Sequence, residues 1–191
     1  MHNHESNDKT IFGFWVYLMT DLVMFAALFA TFAVLRNNTF GGPTGAELFN
    51  LPSVLIETII LLTSSFTTGL AMLAVFRSDK NQVIAWFSIT FLLGASFLVM
   101  ELNEFSKLLA DGASFQTSAF LSSFFTLVGT HGLHIAVGLL WIIVLMAKIL
   151  KKGLTSHSIR QLTMLSLFWH FLDIVWIFIF TIVYLLGVIN A

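Results

Sequence analysis

The stretch GASFQTSAFLSSFFTLVGTHGLHIAVGLLWIIVLMA, residues 112–147, runs for 36 positions without an Asp, Glu, Lys or Arg. A helix rises about 1.5 Å per residue, and roughly 20 predominantly apolar residues cross the hydrocarbon core of a bilayer. Part of this stretch must therefore span a membrane. Inside it stand His131 and His134, three positions apart. An imidazole at that depth needs a partner or a purpose.

The rest of the chain fits the same solvent. It is 58% hydrophobic and 10% charged over 191 residues, whereas soluble domains carry about 25% charged residues. There is no cysteine, which excludes disulfides, thiolate zinc sites and iron–sulfur clusters. The formal net charge is −1, so no basic surface points to nucleic acid. The N-terminal MHNHESNDKT is polar and mixed in charge. The apolar segment after it is too long for a signal-peptide core and lacks a clear small-residue cleavage site, so the first span is expected to be retained.

Hydropathy separates five segments, approximately residues 11–35, 52–76, 82–106, 119–147 and 161–189, each long enough to cross with some tilt. Between them lie RNNTFGGPTGAELFN, RSDKN, a stretch around LLADGASFQTS, and KILKKGLTSHSIR, which carry charged and turn-forming residues and read as loops. The expected architecture is all-α, a polytopic bundle of five transmembrane helices forming a single membrane domain over residues 1–191. Basic residues set its orientation. Lys9, Arg77, Lys80, Lys148, Lys151, Lys152 and Arg160 fall on one side and only Arg36 and Lys107 on the other, which predicts a cytoplasmic N-terminus and a C-terminus outside. Helices in lipid associate through close backbone approach. Ala26 with Ala30, Ser65 with Gly69, and Gly129 with Gly132 and Ala136 form small-residue stripes suited to it.

Ionisable residues within the spans are more numerous than packing alone requires. Asp21, His131, His134, His170 and Asp173 lie near the middle of their segments and could meet at a common depth. Glu57, Glu101 and Glu104 approach the outer level. Glu101, Glu104 and Lys107 share a helical face, so Glu104 reads first as an interfacial charge pair with Lys107. Glu57 and Glu101 read as buried carboxyls, hydrogen-bonded or protonated. Together Asp21, Glu57, Glu101, His131, His134, His170 and Asp173 are the candidates for a buried polar network. A histidine of one helix bonded to a carboxylate of the next would satisfy both groups and fix their register.

Other chemistries fare less well. Three membrane histidines and a carboxylate could supply four metal ligands, but a lone HxxH leaves the remaining ligands unspecified. A proton relay is the other functional reading of the same groups. His2, His4 and His157 read as solvated. No catalytic triad can be assigned from position alone, and GGPTG lacks the Lys and spacing of a phosphate-binding loop. A stand-alone proton-coupled transporter would also place carboxylates and histidines in the membrane, but it usually shows paired halves or interrupted helices, and neither is evident.

The segments KTIFGFWVYLMTD, GGPTG, ETIILLTSS, GTHGLHIAVGLLW and LFWHFLDIVWIFIFTIVYL, in that order over nearly the whole chain, resemble subunit III of the haem-copper terminal oxidases. The five-span length and the GGPTG loop are most similar to the bacterial cytochrome o ubiquinol oxidase branch; a cytochrome c oxidase is the alternative within the family. Longer members have seven spans, and this chain looks like the version without the first two. The resemblance implies an accessory subunit of a proton-pumping quinol oxidase of the aerobic respiratory chain, in the bacterial cytoplasmic (inner) membrane. Haem and copper are then expected in the partner subunit I. This chain would hold no cofactor, metal or catalytic residue, and would contact subunit I, other oxidase subunits and membrane lipids. Its implied task is to support the assembly, stability and proton uptake of the catalytic subunit, and the histidines of HGLH and WHFLD would join helices.

Overall fold

The computed structural model of the protein describes residues 2–36, 51–110, 112 and 118–189, with side chains from residue 9 to 187. The GGPTG segment lies outside the described residues. The chain forms α1 (His2–Leu35), α2 (Leu51–Phe76), α3 (Lys80–Ala110), α4 (Ala119–Lys152) and α5 (Ser156–Ile179). Helix α5 continues through a π-helical turn, Phe180–Leu185, into a last α-helical turn, Leu186–Ile189. Among the described residues five helices are long and apolar enough to cross a membrane. The all-helical, five-span expectation holds.

The two connections that fall wholly within the described residues are shorter than the sequence pattern predicts. KILKKGLTSHSIR is helical on both sides of residues 153–155, because lysine is a good helix former and its charge alone breaks nothing. The break comes at Gly153, whose φ of 74° few side-chain-bearing residues adopt, and whose N–H donates to the Ile149 carbonyl. Thr155 then caps α5 by accepting from the Ser158 N–H. RSDKN likewise shrinks to residues 77–79: Ser78 turns the chain at φ 57°, and Asp79 Oδ1 accepts from the N–H groups of Asn81 and Gln82 to start α3. The polar N-terminal tail joins α1 from His2 onward, since neither Pro nor Gly interrupts residues 2–12.

Helices α2, α3, α4 and α5 pack in that cyclic order, each on its neighbours and α5 back on α2; α1 lies against α4 and α5. Two indoles of α5, two turns apart, fill the axis of this four-helix ring. Trp169 Nε1 donates to Ser64 Oγ of α2 at 3.0 Å, and Trp176 Nε1 donates to Thr58 Oγ1 at 3.1 Å. Each hydroxyl donates in turn to its own helix, Ser64 to the Leu61 carbonyl and Thr58 to the Val54 carbonyl. Both indole N–H groups are thus satisfied within the core, which burial demands.

The bulk of Trp169 explains two glycines. A Cβ on Gly94 of α3 would lie 2.8 Å from Trp169 Cη2, and one on Gly138 of α4 would lie 3.0 Å from Trp169 Cζ3. These glycines, rather than the expected stripes, mark the closest approaches. An added Cβ on Gly129 or Gly132 would make ordinary contacts of 3.7 and 3.8 Å, and on Gly69 it would meet nothing within 4 Å. Thr67 and Thr90 join α2 to α3 through a buried hydroxyl pair at 2.8 Å.

The π turn changes which side of α5 faces inward. Along the preceding helix Thr163, His170, Ile174 and Ile177 form one outward stripe at helical spacing, which Thr181 continues at the start of the π turn. Continuing that spacing would put Tyr184 outside, yet Tyr184 is fully buried. Its ring lies edge-on to Phe124 and 6.2 Å from Trp176. A π turn inserts one residue relative to the α repeat, and that residue rotates Tyr184 into the core.

Candidate functional site

The polar groups within the spans fall into four places. The first joins α1 to α4. His134 Nδ1 donates to the Thr130 carbonyl of its own helix at 2.8 Å, and Nε2 lies 3.6 Å from Asp21 Oδ2. The backbone bond fixes the ring's tautomer and orientation, so Nε2 is held toward α1. Phe25 covers the pair, its ring centroid 5.3 Å from that of His134.

The second lies one turn away and contains His131 alone. Its side chain is fully buried, and neither ring nitrogen has a hydrogen-bond partner among the described residues. The ring stacks on Trp176 at 5.3 Å and 27°, with Phe97 edge-on at 6.1 Å. Spacing places His131 and His134 on one face, but their neighbours differ: His134 meets a carboxylate and His131 meets aromatic rings.

The third is acidic. Glu57 of α2 and Glu101 of α3 are buried at 0% and 2% exposure, and Glu104 is half-buried one turn beyond Glu101. The three interact electrostatically with one another, and both oxygens of Glu57 and Glu101 lack a hydrogen-bond partner among the described residues. Tyr184 interacts electrostatically with all three. Glu104 and the expected partner Lys107 attract one another electrostatically but do not close to an ion pair within 4.0 Å. Among the described residues the only ion pairs within 4.0 Å are Asp21–His134 and His170–Asp173. Glu104 turns toward the interior and Lys107 stays exposed.

The fourth joins α2 to α5. His170 Nδ1 lies 2.7 Å from Ser65 Oγ and 3.7 Å from Asp173 Oδ2. Asp173 is buried, while the His170 side chain is 41% exposed. Among the described residues no group of three or more His, Asp or Glu side chains is gathered closely enough to hold a metal ion.

Reading from sequence overlooked the hydroxyl partners, Thr58, Ser64 and Ser65, and the two indoles. The signal was present: Ser and Thr recur on α2 at positions 58, 64, 65, 67 and 68, a polar face in a helix with little other reason for one.

Comparison with known proteins follows the same lines. The family model described as cytochrome c oxidase subunit III matches residues 1–188. A cytochrome bo(3) ubiquinol oxidase subunit 3 of Pseudomonas aeruginosa is 60% identical over 97% of this chain and 89% of its own length. The protein of the same name from Pseudomonas putida is 53% identical over 97% and 90%. A cytochrome c oxidase subunit 3 of Bacillus sp. PS3 is 49% identical over 93% and 86%.

Proposed function

This chain belongs to the cytochrome c oxidase subunit III family, and from that premise we propose that it is the accessory subunit III of a haem-copper quinol oxidase. The observation that carries the reading is the 60% identity, over nearly the full length of both chains, to a protein named as subunit 3 of a ubiquinol oxidase. The haems and copper of such an enzyme belong to its larger partner subunit. This chain's part is to pack beside that subunit in the bacterial inner membrane, stabilising it and helping it keep its proton supply.

The polar groups suit that part. Asp21–His134 fastens α1 to the four-helix ring, and Ser65–His170–Asp173 fastens α2 to α5. Each sets an imidazole beside a carboxylate, at 3.6 and 3.7 Å, and each fixes the register of one helix against another. The orientation is N-terminus inside. Lys80 Nζ donates to the Leu150 carbonyl at 3.2 Å, and Lys148 Nζ donates to Gln161 Oε1 at 2.6 Å. These contacts hold the basic ends of α3, α4 and α5 together, and the excess of Lys and Arg there supports a cytoplasmic place for that face.

The 49% identity to a cytochrome c oxidase subunit supports a second reading, in which the same accessory role is played beside an enzyme with a different electron donor. Affinity purification of the chain from membranes in mild detergent tests both. The expected result is haem and copper arriving only with larger subunits, together with quinol oxidation. Oxidation of cytochrome c instead would favour the second reading, and metal retained by the isolated chain would overturn both.

A further inference from the structure

Helices α3 and α4 close on one another near the middle of their spans. Leu139 of α4 lies over Gly94 of α3, where an added Cβ would stand 3.0 Å from Leu139 Cδ2. From there toward the ends that carry Lys80 and Lys151, a groove of about 440 Å³ runs between the two helices. Buried Phe87 and Ile142 form its floor, half-buried Phe91 and Met146 flank them, and Leu92 and Leu150 lie at its two ends. Ser88 is the one hydroxyl among the lining residues. The end at Leu150 is positively charged. Lys80 Nζ donates to the Leu150 carbonyl at 3.2 Å, in the last turn of α4, where the helix itself offers no N–H. An ammonium has three N–H donors, and this bond uses one. Lys80 precedes Ile84 and the lining residue Ser88 at steps of four, and Lys151 follows the lining residues Ile143 and Ala147 at the same step, so both lysines belong to the groove face of their helices. Asp79 is the acidic residue here, and its Oδ1 is taken by the N–H groups of Asn81 and Gln82. Arg77, Lys80, Lys151 and Lys152 outnumber it.

Length and charge together select the occupant. Lys80 to Leu92 is about 18 Å along a helix, and one leaflet of hydrocarbon is about 15 Å thick. The groove therefore spans a single leaflet and stops where Leu139 covers Gly94. A transmembrane helix docking between α3 and α4 would need a groove that runs the full thickness. An acyl chain anchored at the interface needs half of it. Basic residues at the interfacial end attract an anionic headgroup, and a phosphate at Lys80 and Lys151 sets its chain along Phe87, Met146 and Phe91.

We propose that the groove between α3 and α4 binds one anionic phospholipid, its phosphate held by Lys80 and Lys151 and one acyl chain lying between the helices as far as Leu92. The proposal depends on the chain spanning a membrane and not on which oxidase it serves. For the test, the chain and the subunits that purify with it are placed in vesicles of equal parts phosphatidylcholine and phosphatidylglycerol, one or the other carrying a diazirine on its acyl chain. After illumination, peptide mass spectrometry should find phosphatidylglycerol in excess over phosphatidylcholine on peptides containing residues 87–92 and 142–150. A lysine at a membrane surface favours anionic lipid by about a factor of five. Lys80→Gln should therefore lower the excess about fivefold, Lys80→Arg should retain it, and Ala147→Trp, which fills the groove, should remove the label of both lipids. Equal labelling by the two lipids, no label from either, or an excess that Lys80→Gln leaves unchanged would overturn the site. So would the same anionic excess at Phe66 and Leu73 on the exposed face of α2, which would make the lipid an ordinary neighbour. If Lys80→Gln lowers the abundance of the chain, Lys151→Gln decides, with the same fivefold loss expected.

Discussion

Replacing Gly94 with alanine isolates the packing around Trp169. The new Cβ would lie 2.8 Å from Cη2 and 2.9 Å from Cζ2 of the indole, and 3.0 Å from Leu139 Cδ2, against 3.5–4.0 Å for an ordinary carbon contact. The indole cannot simply retreat. Its Nε1 is bonded to Ser64, and on the Gly138 side its ring is close enough that a Cβ would stand 3.0 Å away. Overpacking of this kind costs about 1–3 kcal/mol. The same glycine-to-alanine change also brings about 1 kcal/mol of helix propensity, so the comparison must be with a glycine where only that gain operates. Gly13 of α1 serves, because a Cβ there meets nothing within 4 Å. At roughly 2–4 °C per kcal/mol for a chain of this size, the unfolding midpoint of Gly94→Ala in detergent should fall about 2–12 °C below that of Gly13→Ala. In a Trp169→Phe background, which removes the offending ring atoms, most of the difference should vanish. Coincident midpoints for the two alanine variants, or a difference that survives loss of the indole, would refute the argument.

Other predictions address the polar groups. Thr58→Val is close to isosteric but strands the Trp176 N–H in the core, and should cost about 1–3 kcal/mol; a melting midpoint equal to that of the unaltered protein would mean the indole finds another acceptor. Asp173→Asn should weaken assembly or thermal survival of the oxidase more than it slows the complexes that do assemble, because it disturbs a buried pair. Normal assembly with abolished turnover would instead place Asp173 on a proton path. Replacing His131 and His134 together should leave the haem absorption spectrum of the assembled oxidase unchanged, and a missing haem band would make one of them a ligand.

Much of the fold is legible because charge is scarce. With 10% charged residues, the positions of Asp, Glu, Lys and Arg mark where spans can end, and the five helices follow. Helix ends are less legible: Lys151 and Lys152 look like loop residues by charge, but the backbone breaks only where Gly153 takes a positive φ. Contacts between helices are hidden for a different reason. Counting residues places Asp21 and His134 at similar depths, but their approach to 3.6 Å depends on α1 lying against α4, and spacing along one helix does not choose its neighbour. The same limit applies to the glycines. Gly69, one turn from Ser65, has the look of a packing motif, while Gly138 stands without a small partner at that spacing; only the position of Trp169 marks Gly94 and Gly138 as the close approaches.

The π turn at Phe180–Leu185 works as a frameshift in the three-dimensional reading of α5. Residues before it are read in one helical phase and residues after it in another, set back by one position, or about 100° of rotation, so that Tyr184 takes the angular place that residue 183 would have in an uninterrupted α-helix. Deleting a single residue there, for instance Ile182, would remove the residue that the π turn absorbs, and an α-helix running straight through would keep Tyr184 in its place beside Phe124. Adding a residue would instead turn the tail of the chain by a further 100° or so and carry Tyr184 out of the core. The segment therefore holds one residue more than an α-helix needs to join its two ends. A one-residue deletion between residues 180 and 185 should be tolerated better than a one-residue insertion.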